Sequence, residues 1–152
     1  MSAIGQFDVR ATALQMAMVA AAVGNNGRLM EPYLVQEVRG PDLAILKTTQ
    51  PTEFAQTMTP LDAVQLTEML VNVVDNGTGS NARISGVRVA GKTGTAQTGN
   101  DLPSIAWFVS FAPATAPEVA VAVVVEDAGA AEVSGNQLAA PIARDVIEAV
   151  LR

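Results

Sequence analysis

From Ala13 to Val23 the chain is apolar at every position but Gln15, a pattern that predicts a helix buried around most of its circumference. Thr12-x-x-Gln15 reads as a capping box at its start, and Gly24-Asn25-Asn26-Gly27 supplies residues that tolerate the left-handed conformation at its end. Tyr33 to Val38 then alternates apolar and polar, Gly40-Pro41-Asp42 turns, and Leu43 to Leu46 returns, which predicts a marginal hairpin. Lys47 to Thr57, rich in Thr, Gln and Pro, is expected to be a connecting loop. Thr59-Pro60 followed by Asp62 starts a second helix: a hydroxyl cap, a proline with helical φ and an acid on the positive end of the dipole. It should run to Asp75-Asn76-Gly77 and bury Leu66, Met69, Leu70 and Val73, with Glu68 and Asn72 outside. Val87–Ala96, Ile105–Ala112 and Glu118–Glu126 read as three strands of an antiparallel meander, the last two joined by a loop from Pro113 to Pro117. A Gly/Ala/Ser loop comes next, from Ala128 to Gly135. A closing helix should then pack Ile142, Val146, Val150 and Leu151 on the sheet. No internal repeat is visible.

At 152 residues and 49% hydrophobic, the chain is of single-domain size and could bury roughly two thirds of its unfolded surface. Its net charge of −6, with nine scattered basic residues, makes nucleic acid an unfavourable partner. The chain has no Cys and no His, which excludes disulfides, thiol nucleophiles, imidazole bases and the usual zinc sites. A base must therefore be Lys, Asp or Glu, and neither a metal nor a cofactor is expected. Missing cysteines fit an oxidising compartment without requiring one. The apolar run after Arg10 imitates a signal peptide, but Asp8 and the capping box favour a folded helix, and no run approaches the roughly 20 residues of a membrane span.

Two motifs compete for Lys92. Gly86-x-x-x-x-Gly91-Lys92-Thr93 matches a phosphate loop, and Val121 to Glu126-Asp127 imitates an apolar strand ending in a magnesium-binding acid. In a phosphate loop, however, Lys-Thr opens a helix, whereas Val87 to Ala90 alternates as a strand and Gly94 and Gly99 would interrupt any helix starting at Lys92. The stretch from Gln97 to Ser104 is also too short for a parallel crossover. The alternative is Lys92-Thr93-Gly94-Thr95 on an apolar strand, since Lys-Thr-Gly is a signature of β-lactamases and penicillin-binding proteins. On an extended strand Thr93 and Thr95 share one face and Lys92 and Gly94 the other, so two hydroxyls and an ammonium can converge on a carboxylate. Gly94 lets a bound peptide approach the strand edge, and the Thr95 N–H is available for an oxyanion hole.

Five stretches in order carry a wider resemblance. They are Ser2 to Gln6 leading into Thr12-Ala-Leu-Gln-Met-Ala17, Asn26-Gly27 before Glu31-Pro32, Asn76-Gly77-Thr78-Gly79, Ala90 to Gln97, and Ala106-Trp-Phe-Val-Ser-Phe-Ala-Pro113. Together they resemble the C-terminal portion of the transpeptidase domain of class B-like penicillin-binding proteins, of the penicillin-binding protein A type, across essentially the whole chain. The resemblance implies an α+β fold, an antiparallel sheet flanked by helices as in serine β-lactamases, with residues 1–152 forming the C-terminal part of the domain. It implies a D,D-transpeptidase in which a serine attacks a peptidoglycan stem peptide to form an acyl-enzyme, and which β-lactam antibiotics acylate. Lys92, Thr93, Gly94 and Thr95 would match the substrate-binding residues, and Trp107 and Phe108 the packing of the next strand. The implied partners are the upstream part of the same domain, stem peptides and β-lactams, on the outer face of the bacterial cell membrane, with no membrane contact by this segment.

The family's nucleophile motif, Ser-x-x-Lys, is absent. Neither lysine, Lys47 or Lys92, has Ser three positions earlier, and Ser134-Gly135-Asn136 comes after Lys-Thr-Gly where the family places its Ser-x-Asn element before it. The expectation is that nucleophile and proton-transfer partners lie upstream, so that this chain alone is inactive. A non-catalytic peptide-binding or assembly module and a nucleotide-binding protein are the alternatives.

Overall fold

The computed structural model describes residues 9–97, 104–126 and 134–152. The element order is α1 (Ala13–Gly24), β1 (Arg28–Met30), β2 (Glu37–Arg39), β3 (Ile45–Thr48), β4 (Glu53–Gln56), α2 (Pro60–Asp75), a 3₁₀ turn (Ser80–Ala82), β5 (Ala90–Ala96), β6 (Ile105–Ala112), β7 (Val119–Val125), a π-helical turn (Gly135–Ala139) and α3 (Ala140–Val150). The architecture is α+β with antiparallel pairing throughout.

The expected capping box starts α1: the Thr12 hydroxyl accepts from the Gln15 N–H at 3.1 Å, and the Gln15 carboxamide oxygen accepts from the Thr12 N–H at 2.8 Å. Asn26 and Gly27, at φ 55° and 82°, turn the chain out of the helix. The helix is less enclosed than its composition predicts. Ala20, Ala22 and Val23 are buried, while Leu14 and Val19 remain more than half exposed.

The hairpin forms, but as Glu37–Arg39 against Ile45–Thr48. Tyr33, Leu34 and Val35 lie outside the ladder and are exposed, so their alternation has no apolar surface to set it. The expected loop from Lys47 to Thr57 is also corrected, because Glu53–Gln56 is a strand, β4, paired with β1. That ribbon is held by polar side chains, Gln56 Nε2 donating to the Asn26 and Met58 carbonyls and the Thr57 hydroxyl to the Gly27 carbonyl, which leaves no periodicity to read.

Thr59 caps α2 as expected, its hydroxyl accepting from the Asp62 N–H. The buried stripe is rotated from the predicted one: Ala63, Val71 and Val74 are enclosed, Leu66, Leu70 and Val73 are half-buried, and Met69 is exposed. At the C-terminus Arg83 folds back and donates to the Val74 carbonyl at 3.0 Å and to that of Asp75, satisfying carbonyls the helix leaves without partners.

The meander is the centre of the molecule. β5, β6 and β7 pair in order, Ala90 opposite Phe111 and Ala112 opposite Val119; Val87, expected to begin the first strand, makes only an isolated bridge with Ile84. One sheet face carries Phe108, Ala112 and Val121 against Val74, Ala82, Ala143 and Ile147. The other carries Ala90 and Phe111 against Ala20, Val23 and Val71. α2 thus feeds both clusters from the β5 side.

α3 closes the first face, though not on the predicted stripe. Ala140, Ala143 and Ile147 are buried with Leu151 partly so, whereas Ile142, Val146 and Val150 are exposed. Small residues allow the helix axis to come close to the sheet, and the π-helical turn before it comes closer still. A Cβ on Gly135 would lie 2.3 Å from the Trp107 carbonyl oxygen and 2.8 Å from that of Gly94.

Urea unfolding tests two consequences of these contacts. Because the Gly135 neighbours are backbone atoms of paired strands, Gly135→Ala should cost about 3 kcal/mol or more, against about 1 kcal/mol for Gly86→Ala, where φ is +78° but no atom lies within 4 Å. Ser110 is 1% exposed and its hydroxyl has no partner among the described residues, so Ser110→Ala should be neutral or stabilising by up to about 1 kcal/mol.

Candidate functional site

Among the described residues β5 is an edge of the three-stranded sheet, paired only with β6. Alternation places Lys92 and Gly94 on the face shared with Trp107 and Val109, and Thr93 and Thr95 on the face shared with Ala106 and Phe108. Because an edge strand has a free flank, residues of both faces reach the same cleft. That cleft is about 610 Å³, lies between the sheet and the start of α1, and is lined by all four predicted residues together with Arg10, Met16, Trp107 and Glu126.

Lys92 is exposed, its ammonium donating to the Thr93 carbonyl at 2.8 Å, and it has no carboxylate within ion-pair distance among the described residues. The cation is therefore available to an anionic ligand with only a single carbonyl bond to exchange. Thr93 is half-buried, and its Oγ1 lies 2.9 Å from that of Thr78. Thr95 is exposed. Gly94 has a packing reason, since a Cβ there would stand 3.1 Å from the Trp107 Cβ. Trp107 is cleft wall, and Phe108 is core.

The Lys-Thr pair sits within a strand, and the strand after it runs antiparallel, so the helix opening and parallel crossover of a phosphate loop are both absent here. Of that decoy's parts, Glu126 lines the cleft, while Asp127 and Gly99 lie outside the described residues, as does the stretch from Ser2 to Gln6.

Among the described residues no serine lines the cleft: Ser110 is buried in the sheet, and Ser80 accepts from Asn136 Nδ2 at 3.3 Å. Asn136 is otherwise occupied too, its Oδ1 and carbonyl accepting from the Asn81 backbone and side chain at 3.0 Å each. It clamps two turns together and does not face the cleft, in keeping with its misplaced order in the sequence. Sequence reasoning missed Arg83 and Thr78, and it weighed Asn136 only as a motif letter, not as a clamp. Only Thr78 had a signal, the flanking glycines of Asn76-Gly77-Thr78-Gly79. No group of His, Cys, Asp or Glu among the described residues could hold a metal ion, and no helix there is long and apolar enough to cross a membrane.

Against this geometry, comparisons with known proteins are specific. The family model described as penicillin binding protein transpeptidase domain matches residues 1–148. The chain is 47% identical to the peptidoglycan D,D-transpeptidase PbpA of Mycolicibacterium smegmatis, matching 100% of this chain and 32% of that protein, and 46% identical to PbpA of Mycobacterium tuberculosis over the same shares. It is similar to the solved structure of penicillin-binding protein A from M. tuberculosis in its ceftriaxone acyl-enzyme complex, with TM-score 0.93, 45% identity and coverage of 100% of this chain and 35% of that one. The penicillin G acyl-enzyme complex gives 0.88 at 46% identity, covering 100% and 34%. The chain spans about a third of the length of these curated relatives.

Proposed function

This chain belongs to the penicillin-binding protein transpeptidase family, and from that premise we propose that it is the C-terminal part of a peptidoglycan D,D-transpeptidase domain, supplying the carboxylate-holding strand and one wall of the cleft. The observation that carries this reading is the convergence of Lys92, Thr93, Gly94 and Thr95 on one cleft at a free sheet edge.

A stem peptide ends in a carboxylate. The Thr93 and Thr95 hydroxyls donate to it while the Lys92 ammonium supplies the opposite charge, and such charge-assisted bonds are about twice as strong as neutral ones. The peptide lies along the β5 edge, and the Thr95 N–H helps to hold the oxygen that becomes negative when the scissile carbonyl is attacked. A serine outside this chain attacks that carbonyl: its Oγ–C bond forms as its proton passes to a base, the C–N bond breaks with a proton delivered to the departing D-Ala amine, and an acceptor amine later attacks the acyl carbon, forming a new C–N bond as the Oγ–C bond breaks and the serine hydroxyl is restored. β-Lactams enter by the same carboxylate and acylate the same serine. The work is done on the outer face of the cell membrane, in cell-wall crosslinking.

The nucleophile comes from the upstream part of the same domain, since no Ser-x-x-Lys exists here and no described serine reaches the cleft. Exposed apolar side chains on α1, Leu14 and Val19, are consistent with a segment that packs against more protein. That no described serine lines the cleft favours a second role for the chain on its own, a peptide-binding or assembly module without turnover.

Fluorescent penicillin should leave no adduct on this polypeptide by intact mass, and should label the complete protein at a serine outside residues 1–152. An adduct on any of the six serines of this chain, or turnover of a D-Ala-D-Ala peptide by it alone, would overturn the reading; saturable peptide binding without an adduct would establish the module role. In the complete protein, Lys92→Met should lower the second-order acylation constant for a carboxylate-bearing penicillin by about tenfold to a hundredfold, the loss of one charged hydrogen bond, and weaken its dependence on salt.

A further inference from the structure

Thr78 stands in the turn that leaves α2, and its Oγ1 lies 2.9 Å from Oγ1 of Thr93, fifteen residues further on. The turn is built to keep it there. A Cβ on Gly77 would come within 3.0 Å of the Val73 backbone, and one on Gly79 within 3.3 Å of the Phe108 ring, so the glycines let the turn lie flat on the end of α2. The Gly79 N–H donates to the Val73 carbonyl at 2.9 Å, and beyond it Arg83 and Asn136 fasten the following 3₁₀ turn to α2 and to the π-helical turn.

We propose that Thr78 is a positioning residue for carboxylate recognition: its hydroxyl donates to Thr93 Oγ1 and thereby directs the Thr93 proton to the ligand. This rests on the reading of Thr93 as a carboxylate-binding residue. A threonine hydroxyl has one proton and two lone pairs, and a carboxylate only accepts. When Thr93 donates to the ligand it can keep its bond to Thr78 only as acceptor, so the proton between the two threonines is that of Thr78. Accepting one bond also strengthens the bond that the same hydroxyl donates. Thr78 is not among the residues lining the cleft, so it acts through Thr93.

The test uses the full-length protein that carries this segment and compares second-order acylation by a penicillin with a free carboxylate and by its methyl ester. Thr78→Val keeps the shape and removes the proton. It should slow the free acid about fivefold, the value of one ordinary hydrogen bond, and leave the ester unchanged, while Thr78→Ser stays within about twofold of the parent. Equal rates for Thr78→Val and the parent overturn the proposal, as does equal slowing of acid and ester, which marks a purely structural role. Thr93→Val tests the premise separately. If it slows the acid and spares the ester, the carboxylate reading stands whatever Thr78 does; if it treats both alike, that reading and the role of Thr78 fall together.

Discussion

The seat of the Phe108 ring is the constraint on which the rest of the structure depends. The ring is fully buried in the middle strand, and it fits only because two glycines make way: a Cβ on Gly91 would lie 2.6 Å from its Cζ, and one on Gly79 3.3 Å from its Cε2. One glycine belongs to β5 and the other to the turn after α2, so a single side chain fixes the height of that turn above the sheet. Val74, Ala82, Ala143 and Ile147 complete the cluster, tying in α2, the 3₁₀ turn and α3. Burying a Phe side chain is worth about 1.5–3 kcal/mol, and interiors packed at crystalline density pass displacements on to their neighbours. Thr93 lies opposite Phe108 in the ladder. The position of a hydroxyl in the cleft is thereby set by the same contact that holds the core.

How much of this was legible in the sequence divides along a physical line. Features with local causes were readable: the Thr12 and Thr59 caps, the antiparallel meander, and Lys92-Thr93 inside a strand. The faces of α2 and α3 were readable only in part: Leu66, Leu70 and Leu151 pack partly buried against the core as expected, but the fully buried positions differ. Reading by the largest apolar side chains selects Met69 in one helix and Ile142, Val146 and Val150 in the other, all of them exposed. In α3 the sheet instead takes Ala140 and Ala143, because a helix approaches a sheet most closely where its side chains are smallest, and that choice depends on the partner surface. The β1–β4 ribbon was invisible for a different reason, since its register is set by Gln56 and Thr57 bonding to backbone across about 30 residues.

The site shows a related division. The four residues of the Lys-Thr-Gly-Thr run proposed to hold a carboxylate are contiguous in one strand, whereas the contacts that fix them are not. Thr78, Arg83 and Asn136 act across the fold, and the letters Ser134-Gly135-Asn136 would have misled a motif search into placing a proton-transfer element where the structure has a clamp between two turns. The phosphate-loop letters around Gly86 mislead in the same way. A motif is a claim about backbone conformation, and Lys92-Thr93 in an extended edge strand cannot present the curled amides that a phosphate needs.

Charge sharpens the case for hydroxyls in such a site. The chain carries a net charge of −6, so an anionic ligand is repelled at long range. At physiological ionic strength the screening length is about 8 Å, which removes most of that repulsion beyond the cleft itself. The remaining field is local: Lys92, Arg10 and Glu126 all line the same space. A neutral hydroxyl pair on β5 adds donors without adding charge that Glu126 would neutralise, and donors fixed by the fold need little reorganisation as the ligand arrives. In the proposed reading a carboxylate on such a strand therefore depends on how each hydroxyl is aimed, a property of the turn and the core beneath it, as well as on the charge of Lys92.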